Sequence, residues 1–278
     1  MGTADVDYAR PETLTEALGF LARGGRVLAG GTDLYPGAGV RLSGPVVDLA
    51  GVADLAGLQL GTELRIGSAT SWTAIAKAAL PPALRALQQA ARQVGGRQVQ
   101  NAGTIGGNLC NASPAADGVP PLLALGAEVE LVSANGARRL PLQDFLLCPR
   151  RTALQPGEVL TAVLVPATGL QGRSAFVKLG ARTHLVISIA MVAARLKLEA
   201  GRVTAAAVAV GACSPVAVRL PLIEAALLGA PVDQAPGRVR AEDVEAALAP
   251  IDDVRATAAY RREAAVDLAR RAVAEALG

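Results

Sequence analysis

The sequence predicts an α+β protein built from three consecutive units. Up to about residue 170, short strand patterns alternate with helix patterns. In the last third, three strand patterns precede three helix patterns, an order that is typical of a separate α+β domain. The 278 residues are 51% hydrophobic, which is sufficient for a core in each unit. We therefore expect units at residues 1–55, 56–170 and 171–278.

The first unit begins with a helix signal. Thr13 and Glu16 form a capping-box pattern, in which both side chains satisfy backbone N–H groups at the start of a helix. Gly24 and Gly25 end that helix. Strands are predicted at residues 26–29 and 46–49, with a glycine loop after the first.

The second unit combines hairpins with helices. Gly61-Thr62 and Asn135-Gly136 are turn signals between short β patterns, and Pro166 stops a long apolar strand. The predicted strands are residues 58–60, 64–66, 128–132, 137–140 and 159–165. Helices are predicted at residues 71–79, 83–94 and 122–125, and residues 100–109 are predicted as a glycine-rich loop.

The third unit is predicted as a three-stranded antiparallel sheet with helices. A turn around Gly201 joins the second strand to the third. The strands are predicted at residues 174–179, 185–198 and 203–210, and the helices at residues 220–228, 241–248 and 254–277.

Composition excludes several classes of function. The 27 basic and 24 acidic residues are scattered along the chain and only 3% of residues are aromatic, which argues against nucleic-acid binding. Three dispersed cysteines without a C-x-x-C pair predict no zinc site and no iron–sulfur cluster held by this chain. Residues 1–10 lack an apolar signal core, so we expect a cytoplasmic protein. The apolar stretch 185–194 is too short to span a membrane.

The first glycine loop follows the strand at residues 26–29. Its sequence is Leu28-Ala29-Gly30-Gly31-Thr32-Asp33-Leu34. Successive glycines let backbone N–H groups approach an anion, and a threonine adds a hydroxyl donor. It matches neither a Walker loop nor a G-x-G-x-x-G fingerprint. Taken alone, the loop is either a tight turn or a phosphate-binding segment.

The second glycine loop is longer and is flanked by two amide side chains. Its sequence is Asn101-Ala102-Gly103-Thr104-Ile105-Gly106-Gly107-Asn108. Such a segment can surround a diphosphate, or it can be an irregular connection. Asp117, in the following Ser-Pro-Ala-Ala-Asp sequence, can accept from ribose hydroxyls or cap the next helix.

Together, these motifs resemble the FAD-binding (medium) subunit of molybdenum hydroxylases, the xanthine dehydrogenase family. Its members include xanthine, carbon monoxide, nicotinate and aldehyde dehydrogenases. The order and spacing of the two loops and the Ser-Pro-Ala-x-Asp sequence carry the resemblance, which extends over the whole chain. It implies a two-subdomain FAD-binding fold of the PCMH type followed by the C-terminal α+β domain.

The resemblance also implies a set of flavin-binding residues and no catalytic residue in this chain. Both loops would contact the FAD diphosphate, with Asp117 on the ribitol or ribose side and Leu160 and Lys178 near the flavin. The alternative for Lys178 is a solvated strand residue. Many relatives carry acids just after this lysine, whereas this chain has Arg182-Thr183-His184-Leu185-Val186 there, which puts NAD⁺ as acceptor in doubt.

The implied function is an electron relay with non-covalent FAD. A molybdenum-cofactor large subunit would hydroxylate the substrate, a small subunit with [2Fe–2S] clusters would pass the electrons on, and this chain would deliver them to an external acceptor. We expect a dimer of heterotrimers. The alternatives are a self-sufficient flavin oxidase of the related fold and a nucleotide-binding scaffold without redox activity.

Overall fold

The computed structural model describes residues 8–38, 42 and 44–278. Residues 1–7, which form most of the segment used for the expectation about a signal sequence, lie outside this range. Strands and helices occur together throughout the described chain, in three main sheets. The predicted α+β class is confirmed. Within the described part of the chain, none of the helices combines the length and the hydropathy that a bilayer crossing requires.

The N-terminal sheet is parallel and has three strands. Its elements, in chain order, are β1 (Tyr8–Ala9), α1 (Leu14–Leu21), β2 (Arg26–Leu28), α2 (Leu34–Gly37) and β3 (Val46–Asp48). The strand order is β1-β3-β2. The predicted capping box is present, since the Thr13 hydroxyl accepts from the Glu16 N–H and the Glu16 carboxylate accepts from the Thr13 N–H. Helix α2, directly after the first glycine loop, was not predicted.

The second sheet is antiparallel, with strand order β4-β5-β10-β6-β7. Its strands are β4 (Leu58–Leu60), β5 (Leu64–Gly67), β6 (Glu128–Ser133), β7 (Gly136–Pro141) and β10 (Val159–Val165), and a separate pair is β8 (Leu146–Cys148) and β9 (Arg151–Thr152). The helices are α3 (Trp72–Lys77), α4 (Arg85–Ala91), α5 (Arg97–Ala102), α6 (Ile105–Asn111), α7 (Val119–Ala124) and α8 (Leu142–Phe145). Both predicted hairpins are confirmed. Strand β10 is buried along its whole length because it is the central strand.

The prediction of a continuous loop at residues 100–109 is wrong. Helices α5 and α6 take up most of this segment, and only Gly103 and Thr104 between them are non-helical. Thr104 caps α6 by accepting a hydrogen bond from the Gly107 N–H. A Cβ atom at Gly106 would lie 2.7 Å from the Cβ atom of Ser68, so glycine serves helix packing here rather than backbone freedom.

The C-terminal sheet has four antiparallel strands in the order β11-β12-β13-β14. Its elements are β11 (Arg173–Leu179), β12 (Ala190–Glu199), β13 (Arg202–Gly211), β14 (Val218–Arg219), α9 (Pro221–Leu227), α10 (Ala241–Glu245) and α11 (Ala258–Leu277). The three predicted strands are present, and the two-residue β14 extends the sheet. The 3-10 turns are Leu49–Gly51, Ala53–Leu55, Pro82–Leu84, Ala167–Leu170 and Ala235–Arg238.

The predicted start of the second of these strands, at residue 185, is wrong by five residues. Leu185 has a φ of +53°, which breaks an extended backbone. The Arg182 guanidinium donates to the Leu185 carbonyl and closes a loop before β12 begins. Apolar residues therefore continue through this loop without forming strand.

The outer edge of β11 is covered by helix α4. The Phe176 N–H donates to Gln89 Oε1 at 2.8 Å. The Ser174 hydroxyl donates to the Ala83 carbonyl at 2.7 Å and accepts from the Ala86 N–H at 2.8 Å. These bonds satisfy strand and helix groups that would otherwise be buried without partners. The C-terminal sheet is thereby fixed to the second unit.

Arg195 makes a second connection between the same parts of the chain. Its Nε donates to the Ala124 carbonyl at 2.8 Å, and its Nη1 donates to the carbonyls of Thr168 and Gln171, both at 3.1 Å. Burial lowers the pKa of this guanidinium, with a further contribution from Arg219. The charge is therefore held by backbone carbonyls at the end of α7 and beyond β10.

We predict that Arg195→Met lowers the free energy of unfolding by about 2–4 kcal/mol, because three carbonyls lose a charged donor. Urea denaturation followed by circular dichroism measures this. Arg85→Met is the control, since Arg85 is exposed and its side chain makes no hydrogen bond to a described residue. Equal stability of the two variants would contradict a connecting role for Arg195.

Candidate functional site

A cleft of about 520 Å³ opens between the first two units. Its walls are the first glycine loop, the start of α6, the segment between β5 and α3, and the start of β10. A cavity of this size lies in the range of small-molecule and cofactor sites.

Two glycines at the cleft are needed for its backbone geometry. A Cβ atom at Gly30 would lie 2.0 Å from the carbonyl oxygen of Ala102, so no side chain is possible where the two glycine segments meet. Gly31 has a φ of +69°, the left-handed region that glycine adopts without strain. The hydrogen bond from Asn111 Nδ2 to Asp33 Oδ1, at 2.8 Å, links the two segments again.

The two glycine segments differ in their free hydrogen-bond donors. The backbone N–H groups of residues 30–33 donate to no acceptor among the described residues. In contrast, the Gly106 N–H donates to the Ser68 carbonyl at 2.9 Å, and the N–H groups of Gly107 and Asn108 both donate to Thr104, at 3.0 Å. The first segment therefore offers a row of donors to an anion. In the second segment the N–H groups are already bonded, so its glycines contribute only by letting a ligand lie close to the backbone.

Two further polar groups shape the electrostatics of the cleft. The side-chain oxygen of Asn108 is buried and has no hydrogen-bond partner among the described residues, so it can accept from a ligand. The Glu158 carboxylate is paired with Arg138 through bonds of 2.6 and 2.8 Å. This pairing lowers the pKa of Glu158, while partial burial opposes it. Its negative charge is thus compensated where an anionic ligand would lie.

Asp117 and Lys178 form a buried ion pair at 2.6 Å. The side chains are only 8% and 6% exposed, and the Ser188 hydroxyl donates to the other carboxylate oxygen at 2.6 Å. Burial raises the pKa of Asp117, and Lys178 and Ser188 oppose that rise. The two interpretations without a ligand role are wrong. Lys178 is buried rather than solvated, and the N-cap of α7 is Gly118 rather than Asp117.

The structure brings together most of the predicted site residues. Twelve of them line the cleft: Ala29, Gly30, Gly31, Thr32, Asp33, Leu34, Gly103, Thr104, Gly106, Gly107, Asn108 and Leu160. The other six lie outside its lining: Leu28, Asn101, Ala102, Ile105, Asp117 and Lys178. Leu28 and Ile105 are core residues, and Asn101 accepts a hydrogen bond from Thr73 at 2.6 Å. Roles of all these residues toward a flavin remain predictions.

Sequence reasoning missed one wall of the cleft. Ser68, Ala69 and Trp72 line it between β5 and α3. The signal was available, because Gly67-Ser68-Ala69-Thr70 is a run of small residues between a strand and a capped helix, as in the first glycine loop.

The described residues contain no candidate metal site. No group of three or more His, Cys, Asp or Glu side chains is arranged there to hold a metal ion. Cys110 lines the cleft as a single exposed thiol, and the described lining contains no second cysteine, histidine or lysine.

Comparison with protein families assigns both parts of the chain. Residues 4–168 match the family described as the FAD binding domain in molybdopterin dehydrogenase. Residues 175–276 match the carbon monoxide dehydrogenase flavoprotein C-terminal domain. The chain belongs to the molybdopterin dehydrogenase flavoproteins. The resemblance seen in the two glycine loops is confirmed.

Known flavoproteins are similar to this chain over nearly its full length. The xanthine dehydrogenase FAD-binding subunit of Escherichia coli O157:H7 is 30% identical, covering 97% of this chain and 95% of that protein. The carbon monoxide dehydrogenase medium chain of Afipia carboxidovorans is 31% identical, covering 97% and 96%. A crystal structure of the Cu,Mo-CO dehydrogenase contains a chain with a TM-score of 0.87 and 30% identity, covering 100% of this flavoprotein and 99% of that chain.

We predict that Lys178→Met and Asp117→Asn each lower the free energy of unfolding by about 3–5 kcal/mol, because each strands a buried partner. The double variant should lose less than the sum of the two, by about 1–3 kcal/mol. Denaturant titration of all four proteins measures the coupling. Lys197→Met removes a partly exposed lysine paired with Glu199 and should change stability by less than about 1 kcal/mol. Additive losses would show that the pair is not coupled.

Proposed function

We propose that the cleft binds FAD and that the chain is the flavin-carrying electron-transfer subunit of a heteromeric molybdenum hydroxylase. The observation that carries this proposal is the row of N–H groups at residues 30–33 that have no acceptor among the described residues. They belong to the lining of a cleft of cofactor size, within a family of FAD-binding domains. Electrons would come from [2Fe–2S] clusters of a partner subunit. They would leave to an external acceptor.

The residues present fit a dinucleotide. The N–H groups of residues 30–33 and the Thr32 hydroxyl would hold the diphosphate, and Gly106 and Gly107 would let it approach helix α6. Asn108 would accept from a ligand hydroxyl or N–H group. Leu160 would pack against the ring system, and Asp117 and Lys178 would support the site from behind the cleft wall. When bound, the flavin supplies the redox chemistry by accepting and releasing electrons.

A non-covalent association is favoured by the surroundings of the one thiol in the described cleft lining. Cys110 has no histidine or lysine beside it in that lining that would favour the reactive thiolate. His184 lies outside that lining. We therefore expect FAD to be released when the protein unfolds.

The assembly proposed for the chain follows from its relatives. Medium chains and FAD subunits occur among them, including that of carbon monoxide dehydrogenase. We propose a molybdenum-cofactor large subunit and a [2Fe–2S] small subunit as partners, in a dimer of heterotrimers in the cytoplasm. We also propose that residues 1–55, 56–170 and 171–278 are the three domains, since each range contains one of the main sheets.

The purified chain should show flavin absorbance and release FAD, rather than FMN, on acid precipitation. Two glycine segments and the adjoining cleft provide more contacts than a mononucleotide needs. Chromatography of the acid extract identifies the nucleotide. A colourless chain would support a scaffold without redox activity, and substrate turnover by the isolated chain would support a self-sufficient oxidase.

Gly107→Val should reduce flavin content at least about tenfold, because Gly107 lines the cleft and a valine side chain there would take up space that the ligand needs. A Cβ atom at this position meets only Thr104 Oγ1, at 3.0 Å. The fold should persist, so circular dichroism should be close to that of the parent. Gly237→Val is the matched control, since a Cβ atom there has no neighbour within 4 Å and the residue lies outside the cleft lining. Full flavin content in Gly107→Val would place the diphosphate elsewhere.

A further inference from the structure

One surface of the protein carries basic side chains without acidic ones. Residues 64–116 and 159–198 contain no aspartate or glutamate. These segments supply helices α3 to α6 and the loop before β12. Four exposed side chains from them, Arg92, Arg97, Arg182 and His184, are here called the basic surface.

The members of the basic surface are held together by the loop at residues 181–188. The Leu185 side chain contacts Gly96, where a Cβ atom would lie 2.6 Å from Leu185 Cδ2. Arg97 follows Gly96 directly, and the Arg182 Nε donates to the Leu185 carbonyl at 3.0 Å. Arg92 and His184 both line a small cavity of about 20 Å³ beneath the loop. Gly96 therefore allows the loop to lie against the start of α5.

Nearby carboxylates do not neutralise this surface. Asp117 approaches the loop through Ser188 but is paired with Lys178. Asp253 is paired with Arg261, whose guanidinium also donates to the Ile189 carbonyl. Arg97 lies in the first turn of α5, where a cation opposes the helix dipole, so its charge does not serve the stability of that helix.

The basic surface borders the flavin cleft. Val94 and Val99 line the cleft, and the segment between them contains Gly96 and Arg97. A molecule bound at the basic surface would thus lie next to the cleft wall. Electron transfer needs that proximity.

We propose that the basic surface is the docking site for an acidic electron-acceptor protein. This rests on the proposed function as a flavin subunit. Charge complementarity of this kind steers association and sets orientation. For each flavin reoxidised, two one-electron acceptor molecules are reduced, and the protons released pass to water.

A protein fits this surface better than a nucleotide does. The cavity beneath the loop holds about 20 Å³, room for roughly one water molecule. Leu185 and Ile187, in the same loop as Arg182 and His184, are 58% and 52% exposed. Exposed apolar side chains next to charged ones are the usual composition of a protein–protein interface.

The experiment compares two forms of one acceptor. The FAD-loaded chain is photoreduced without oxygen and mixed in a stopped-flow instrument with cytochrome c, either native and cationic or succinylated and anionic. The anionic form should be reduced faster, by about tenfold at low salt, and that advantage should vanish as salt is added. Equal rates for the two forms would overturn the proposal.

Variants locate the effect. Arg97→Glu combined with His184→Glu should remove the preference for the anionic form, because neither side chain makes a hydrogen bond to a described residue and only charge changes. Arg271→Glu is the control, on helix α11, which packs on the opposite face of the C-terminal sheet from α4. It should behave as the parent does.

Other outcomes assign the surface differently. If the double variant no longer co-purifies with the iron–sulfur subunit, or if it loses binding of anionic phosphatidylglycerol vesicles shown by the parent, the surface binds that subunit or a membrane, and the acceptor proposal is overturned. Absence of bound flavin in the parent would instead contradict the proposed function. The absorbance spectrum taken before mixing separates these cases.

Discussion

A Cβ atom at Gly30 would lie 2.0 Å from the carbonyl oxygen of Ala102. This contact brings the backbone after β2 against the backbone between α5 and α6, and the cleft lies along the seam. Residues 30–33 line the cleft on one side of this seam, and their N–H groups have no acceptor among the described residues. The seam and the free donors therefore lie in the same short segment of the chain.

Polar contacts fix the C-terminal sheet to the second unit, which forms one side of the cleft. Gln89 and Ser174 connect α4 to the edge of β11, and Arg195 connects β12 to the end of α7. Lys178 adds a buried charge pair with Asp117. Such contacts permit only one relative placement of these elements, because a shift would leave a buried polar or charged group without its partner. They fix the strands on both sides of the loop at residues 181–188 to the second unit.

The pairing of Lys178 also changes what that lysine can do for a flavin. An isolated ammonium group would favour a negatively charged reduced ring by Coulomb attraction. Here Asp117 compensates the charge at 2.6 Å, and the pair as a whole has little net field. The uncompensated positive charge lies instead on the exposed basic surface, where it can act on a partner.

The sequence by itself determined the α+β class, the family and most of the longer strands, because hydrophobic period, turn residues and glycine motifs are local. The capping box at Thr13 and the hairpin turn at Asn135-Gly136 are examples. Residues 100–109 were mistaken for a loop, since the packing of Gly106 on Ser68 is a contact between segments far apart in the chain. The partner of Asp117 and the unequal donors of the two glycine segments likewise depend on distant residues. Only the tertiary structure could decide them, because a hydrogen bond between residues 61 positions apart leaves no local pattern.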